Sequence, residues 1–181
     1  MISEIGDKMK NILTIIMLIS TLTYPKSNSE KAGDVLTLLI PAVALGSTLY
    51  MEDTNGSIEF LKAYGSTAAA TQILKYTVRE QRPNNSDSYT SFPSGHTSSA
   101  FSGASFIHKR YGFTYAIPAY LGAIYTGYSR VKAEKHYTHD VIAGALLGIG
   151  FSWYFVSPYK NFQVTPVVDT DTYGVQFNYK W

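Results

Sequence analysis

Eight residues of this 181-residue chain share one chemistry. Lys75 is followed, after six residues, by Arg82-Pro83; Ser94, Gly95 and His96 stand together in Pro93-Ser94-Gly95-His96; Arg130 is followed after five residues by His136, and His136 after three by Asp140. A guanidinium is a planar fork of donors that matches phosphate oxygens, and an ammonium adds a point charge. Lys75, Arg82 and Arg130 around one pocket would hold a doubly charged oxyanion. Ser94 and Gly95 fall where a helix should start, with unpaired N–H groups at the positive end of the dipole. Gly95 has no side chain to keep an anion off the backbone.

The histidines supply a reaction. His136 and Asp140 stand at i and i+4 and share a face if a helix starts by His136. Asp140 would then accept the Nδ1–H and leave the Nε2 lone pair to attack phosphorus. His96 would protonate the leaving group and later deprotonate water, so hydrolysis runs in two steps through a phosphohistidine. Each residue alone has a duller use. Ser94 is a helix cap, Arg82-Pro83 a loop start, Lys75 a dipole partner, and His136 with Asp140 a surface pair. Their joint occurrence in a charge-poor chain favours the phosphate site. His108 and His139 read as loop or surface histidines. Trp153 and the tyrosines of 113–128 read as packing or interface residues.

The rest of the chain must position these groups. Charged residues make up 15% with a net charge of +2, and no basic block suggests a nucleic-acid groove. Cysteine is absent, which excludes a disulfide frame and a thiolate metal site. Five segments lack strand-like alternation and predict helices: 35–51 (interrupted by Pro41), 58–78, 97–110, 113–128 and 141–156. Turn chemistry separates them at 52–57, 82–88 and 110–112. Gly144 and Gly148, four apart, suit close helix packing. From Tyr173 to Trp181 apolar residues alternate strictly, and Phe162, Val164 and Val168 alternate before the polar Asp169–Thr172, which predicts a β-hairpin.

Residues 1–24 read as a leader or anchor helix. Lys8 and Lys10 precede the uncharged run Ile12–Leu22, and a polar exit follows. The helical domain is expected over 25–160 and the hairpin tail over 161–181. The uncharged runs sit at or below the length of a full span, and the mean hydropathy is −0.04. Even so, three uncharged helices favour a membrane-embedded or membrane-bound protein. Six spans, leader included, put loops 82–96 and 129–140 on one side and Lys109 with Arg110 on the opposite, cytoplasmic side.

The stretches "KYTVREQRP", "PSGH" and "SRVKAEKHYTHD" resemble, in residue type, spacing and order, the three signature motifs of the type-2 phosphatidic acid phosphatase superfamily. That superfamily also holds bacterial non-specific acid phosphatases and vanadium haloperoxidases. The resemblance implies an all-α bundle of about five to six helices and hydrolysis of a phosphate ester or diphosphate without metal or other cofactor. It implies His136 as nucleophile, His96 as general acid and Asp140 as orienter. Lys75, Arg82, Ser94, Gly95, His96 and Arg130 become phosphate ligands. The expected partner is a phosphorylated lipid or a small phosphomonoester, at an inner membrane with an outward-facing site or, after leader removal, in the periplasm. A vanadate-dependent haloperoxidase and a non-catalytic phosphate-binding bundle are the rivals. The substrate itself is not legible in the residues.

Overall fold

The computed structural model describes residues 27–84, 86–159, 162–169 and 172–179; the leader or anchor expected at 1–24 lies outside them. Five helices follow in order: α1 Asn28–Tyr50, α2 Thr54–Val78, α3 Gly95–Tyr111, α4 Phe113–Lys132 and α5 Thr138–Phe155. Two strands, β1 Phe162–Asp169 and β2 Thr172–Tyr179, close the chain. The architecture is the expected all-α bundle with a C-terminal β-hairpin.

Two helices start earlier than their apolar runs suggest, because caps set the starts. Ser27 Oγ accepts the Glu30 N–H at 3.2 Å, so the polar stretch 28–34 winds into α1 and puts Asp34 on a helix. Asp53 Oδ1 accepts the Gly56 N–H at 2.9 Å, so residues read as a turn become the first turn of α2. Pro41 lies inside α1 and does not end it.

Helix α3 is central and touches the other four. Its contact with α5 is backbone on backbone. A Cβ at Gly144 would sit 2.5 Å from the Ser94 carbonyl oxygen, and one at Gly148 would sit 2.6 Å from both Ser102 N and Ser98 O. Only glycine permits that approach. It fixes the register of α5 along α3, and so delivers the α4–α5 turn to the start of α3, where Ser94 N donates to Asp140 O at 3.0 Å.

The interior is made of small residues. Ala44, Ala63 and Ala116 are fully buried around Phe60 and Phe106, and Ala100, Ala104 and Ala123 around Ile40. Buried hydroxyls fill the gaps and find acceptors locally or across helices: Thr67 on Ala63 O (2.8 Å), Thr126 on Gly122 O (2.9 Å), Thr71 on Ser98 Oγ (3.0 Å). Large apolar side chains point outward on the four helices around α3, among them Leu38 at 73% exposure, Leu61, Ile73, Leu121, Ile142 and Leu146. This reverses the usual distribution of a water-soluble domain. Among the described residues, α1 is the one helix long and apolar enough to cross a membrane, with a mean hydropathy of 1.6.

The end away from Ser94 is closed by Arg110. Its Nε and Nη2 meet the two Asp53 carboxylate oxygens at 2.7 and 2.5 Å, and Nη1 reaches Glu59 Oε2 (3.2 Å) and Ser157 O (2.9 Å). Arg110, expected at a helix end on the cytoplasmic side, is buried and paired, because Asp53 and Glu59 of the neighbouring helix end face it. Lys109 lies over the Trp153 ring at 4.6 Å. His108 is likewise no loop or surface residue: it is half-buried within α3, with Nδ1 3.2 Å from the Tyr120 hydroxyl and its ring against Phe113 and Trp153.

The hairpin pairs Phe162 with Tyr179, Val164 with Phe177 and Val168 with Tyr173, so apolar positions oppose one another along one face. Its tether to the bundle is Tyr159 N, which donates to Arg110 O at 2.7 Å.

Candidate active site

The two long connections meet at the end opposite Arg110. Helix α2 stops at Arg79, which takes the left-handed conformation (φ 52°) as C-cap. The following segment folds back on itself: Ser91 N donates to Glu80 O (2.9 Å) and Arg82 N to Ser88 O (3.2 Å). Lys75 braces it from beneath. Its Nζ donates to the carbonyls of Thr90 (2.6 Å) and Pro93 (2.7 Å), with Ser91 O at 3.4 Å. The ammonium stays within electrostatic reach of Arg82, His136 and Asp140. Lys75 is thus a loop brace as well as a cation of the site.

Arg82 is half-buried. Its Nη2 lies 3.4 Å from Thr90 Oγ1, while its Nε–H is buried with no acceptor among the described residues. A charged donor left so is costly unless an anion comes to it. Burial, then the Arg130 charge, press its pKa below the ordinary arginine value, which places the two guanidinium groups near one another.

Arg130 is buried on α4. It donates through Nη1 to Asp34 Oδ1 (2.8 Å), through Nη2 to Glu30 O (2.7 Å) and through Nε to Ser129 Oγ (3.1 Å). Gly33 makes room for it: a Cβ there would collide with Ser129 Oγ and the guanidinium. The first two turns of α1 therefore belong to the site.

Ser94 acts as the cap of α3. Its Oγ accepts from Thr97 N (3.4 Å) and Thr97 Oγ1 (2.9 Å), and its N–H goes to Asp140 O. The sequence suggested an unpaired Ser94 N–H for an anion; the backbone contact with α5 takes it instead. The first helical positions, Gly95 and His96, carry the N–H groups that lack an intrahelical acceptor. A cleft of about 120 Å³ beside Gly95 separates α2 from α3 and is lined by Tyr64, Thr67, Thr71, Ser98 and Ser99.

His136 is buried in the turn before α5, not on the helix. Its side chain still meets Asp140, because Asp140 folds back over the helix start: Oδ2 accepts from Tyr137 N (2.9 Å) and from Ser91 Oγ (2.5 Å). Nδ1 of His136 lies 3.5 Å from that same oxygen, an ion-pair distance and not a formed hydrogen bond. The expected shared helix face is thus replaced by a capping geometry that brings the pair together. Burial, then the charges of Lys75 and Arg82, hold the His136 imidazole down at about 4, against the opposing pull of Asp140. At neutral pH the ring is uncharged and keeps a lone pair.

All eight expected residues therefore converge on one end of the bundle. The sequence reading missed three others. Asp34 joins His96 Nε2 (3.1 Å) to Arg130. Ser91 holds Asp140, and Glu80 pairs with His139 at 2.9 Å. Asp34 had a faint signal, an isolated acid just ahead of a charge-free run. His139 is exposed as expected, yet its Nε2 also lies 3.2 Å from Asp140 Oδ1. Glu80, His139 and Asp140 are the described residues whose ligand atoms come close enough to share a metal ion, all within 4.8 Å. The histidine bridging two carboxylates accounts for that closeness.

Known proteins resemble this arrangement in sequence and shape. A family model described as the PAP2 superfamily matches residues 57–163. A lipid A 4'-phosphatase of Helicobacter pylori (strain J99) is 35% identical over 170 residues, covering 84% of this chain and 85% of the relative. A lipid A 1-phosphatase of Porphyromonas gingivalis is 38% identical over 78 residues, 41% of this chain and 17% of the relative. Among solved structures, Aquifex aeolicus LpxE superposes with a TM-score of 0.53 at 23% identity, covering 78% of this chain and 92% of that one.

Proposed function

The chain belongs to the PAP2 superfamily and is a phosphatase, and from that premise we propose that it removes phosphate from a membrane lipid by way of a phosphohistidine on His136. One observation carries the reading. Lys75, Arg82, Arg130, His96 and His136 gather at one end of a bundle whose sides are apolar. A phosphate head group at the membrane surface would meet the cations while its acyl chains lie along the outward Leu and Ile side chains.

The chemistry follows from the placement. The lone pair of His136 Nε2 attacks phosphorus, the P–O bond to the leaving group breaks, and His96 gives that oxygen its proton. Water then attacks phosphorus as His96 takes its proton, the P–N bond breaks, and phosphate leaves with His136 restored. Lys75, Arg82, Arg130 and the N–H groups at the start of α3 stabilise the charge on the equatorial oxygens. No step in this scheme draws on a metal.

Membrane embedding is supported by the inverted burial, small and hydroxylated inside and large and apolar outside, which is the packing that lipid favours. An outward-facing site and a cytoplasmic Arg110 end accompany it. The lipid A phosphatases among the relatives make a phosphorylated glycolipid the first substrate to try. The test is phosphate release from lipid phosphates and from soluble esters by detergent-solubilised protein, with His136→Ala as control. Preference for the lipid and a dead variant support the proposal; equal turnover of soluble esters, or an active variant, contradicts it.

A further inference from the structure

We propose that Asp34, on α1 and outside all three motifs, is the positioning residue for the general acid His96. The inference rests on the mechanism proposed for this site. A single oxygen, Asp34 Oδ1, stands 3.1 Å from His96 Nε2 and 2.8 Å from Arg130 Nη1. It bridges residues that lie 62 and 96 positions away along the chain. The site thus holds two His–Asp pairs, His136 with Asp140 and His96 with Asp34, built from different elements.

The second pair does for the acid what the first does for the nucleophile. A carboxylate facing one ring nitrogen fixes orientation and tautomer and stabilises the imidazolium. With Nε2–H directed to Asp34, the ring delivers its other proton, from Nδ1, to the leaving oxygen. The neutral ring that remains has its lone pair on Nδ1, ready to take the proton of the attacking water. Arg130 does not depend on Asp34 alone, since Glu30 O and Ser129 Oγ also hold its guanidinium. Loss of the Asp34 charge should therefore fall on proton transfer and leave phosphate binding in place. The two turns of α1 wound by the Ser27 cap are what deliver the carboxylate, which gives that polar lead-in a role in the chemistry.

The leaving group separates this role from a structural one. A p-nitrophenolate needs little protonation to depart, whereas an alkoxide needs it fully. Asp34→Asn should lower kcat/KM on phosphatidic acid in detergent micelles by about 10²-fold, in the range of general acid catalysis. It should lower kcat/KM on p-nitrophenyl phosphate by less than about fivefold, since kcat/KM ends at the phosphoenzyme and that ester barely uses the acid. Inhibition by inorganic phosphate should not weaken, because a negative charge has been removed beside the anion. In a His96→Ala background the same substitution should add nothing. If Asp34→Asn does not fold, Asp34→Glu, which keeps the charge but shifts the oxygen, must show the same dependence on leaving group. Equal losses on both esters with weaker phosphate inhibition, or no loss on either, overturn the inference. Activity surviving in His136→Ala would instead defeat the underlying mechanism.

Discussion

The bundle buries arginine at each end, and the two ends differ in how completely it is partnered. Arg110 faces Asp53 and Glu59, and its guanidinium nitrogens are all partnered within the protein. At the other end Lys75, Arg82 and Arg130 face Asp34 and Asp140, and Arg82 Nε is left without an acceptor among the described residues. A buried arginine therefore does not by itself mark a site. One with a buried donor still unsatisfied does. The Arg110 end is a clasp between helix termini, and the Arg82–Arg130 end is a cradle.

That contrast can be broken most sharply by removing the nucleophile. His136→Ala should lower kcat by about 10³-fold or more while detergent melting and far-ultraviolet circular dichroism stay as in the parent. Next come the arginines, with opposite signatures. Arg82→Ala should cost about 10²–10³-fold in kcat, as loss of one charge-stabilising donor does, with little change in melting. Arg110→Ala should cost about 3–5 kcal/mol of stability, because it strands buried carboxylates, and should leave the kcat of the folded fraction unchanged. An Arg110 variant that melts normally but loses turnover would undo the distinction.

A smaller effect concerns pH. The His136 value of about 4 lies below the ordinary 6.5, so the folded enzyme keeps this ring neutral from about pH 4 upward. The acid limb of kcat/KM, which reports the free enzyme, should fall near pH 4 and not near 6.5. The unfolded chain takes up this proton near 6.5, so the associated stability is present above that pH and is lost as pH falls toward 4. An acid limb at 6.5 would show that burial and the neighbouring cations do not act on the ring. Smallest of all, Gly148→Ala puts a methyl against the α3 backbone and should cost about 1–3 kcal/mol by overpacking. Part of its activity should go too, since α5 carries Asp140 into place.

The sequence made the chemistry more legible than the scaffold. Lys75, Arg82, His96, Arg130, His136 and Asp140 were readable because few other charges compete with them and their spacings match a known set of motifs. The hairpin was readable because alternation from Tyr173 onward has no helical explanation. The start of α1 was not, because a polar first turn looks like linker until Ser27 is seen to cap it. Asp34 was lost for the same reason. The Ser94 N–H was misassigned because nothing local reveals that Gly144 lets α5 press onto it. The pairing of Arg110 was not legible because its partners lie 57 and 51 residues away.

The central claim is that His136 attacks phosphorus inside the cradle. It is tested most directly by rapid acid-free quenching of His96→Ala with p-nitrophenyl phosphate labelled with ³²P. That ester needs no acid to form the intermediate, and the variant lacks the base that would clear it. The account predicts an acid-labile, alkali-stable label that accumulates on His136 and disappears in the double variant His96→Ala/His136→Ala. No covalent label during turnover, or a label on another residue, would contradict it.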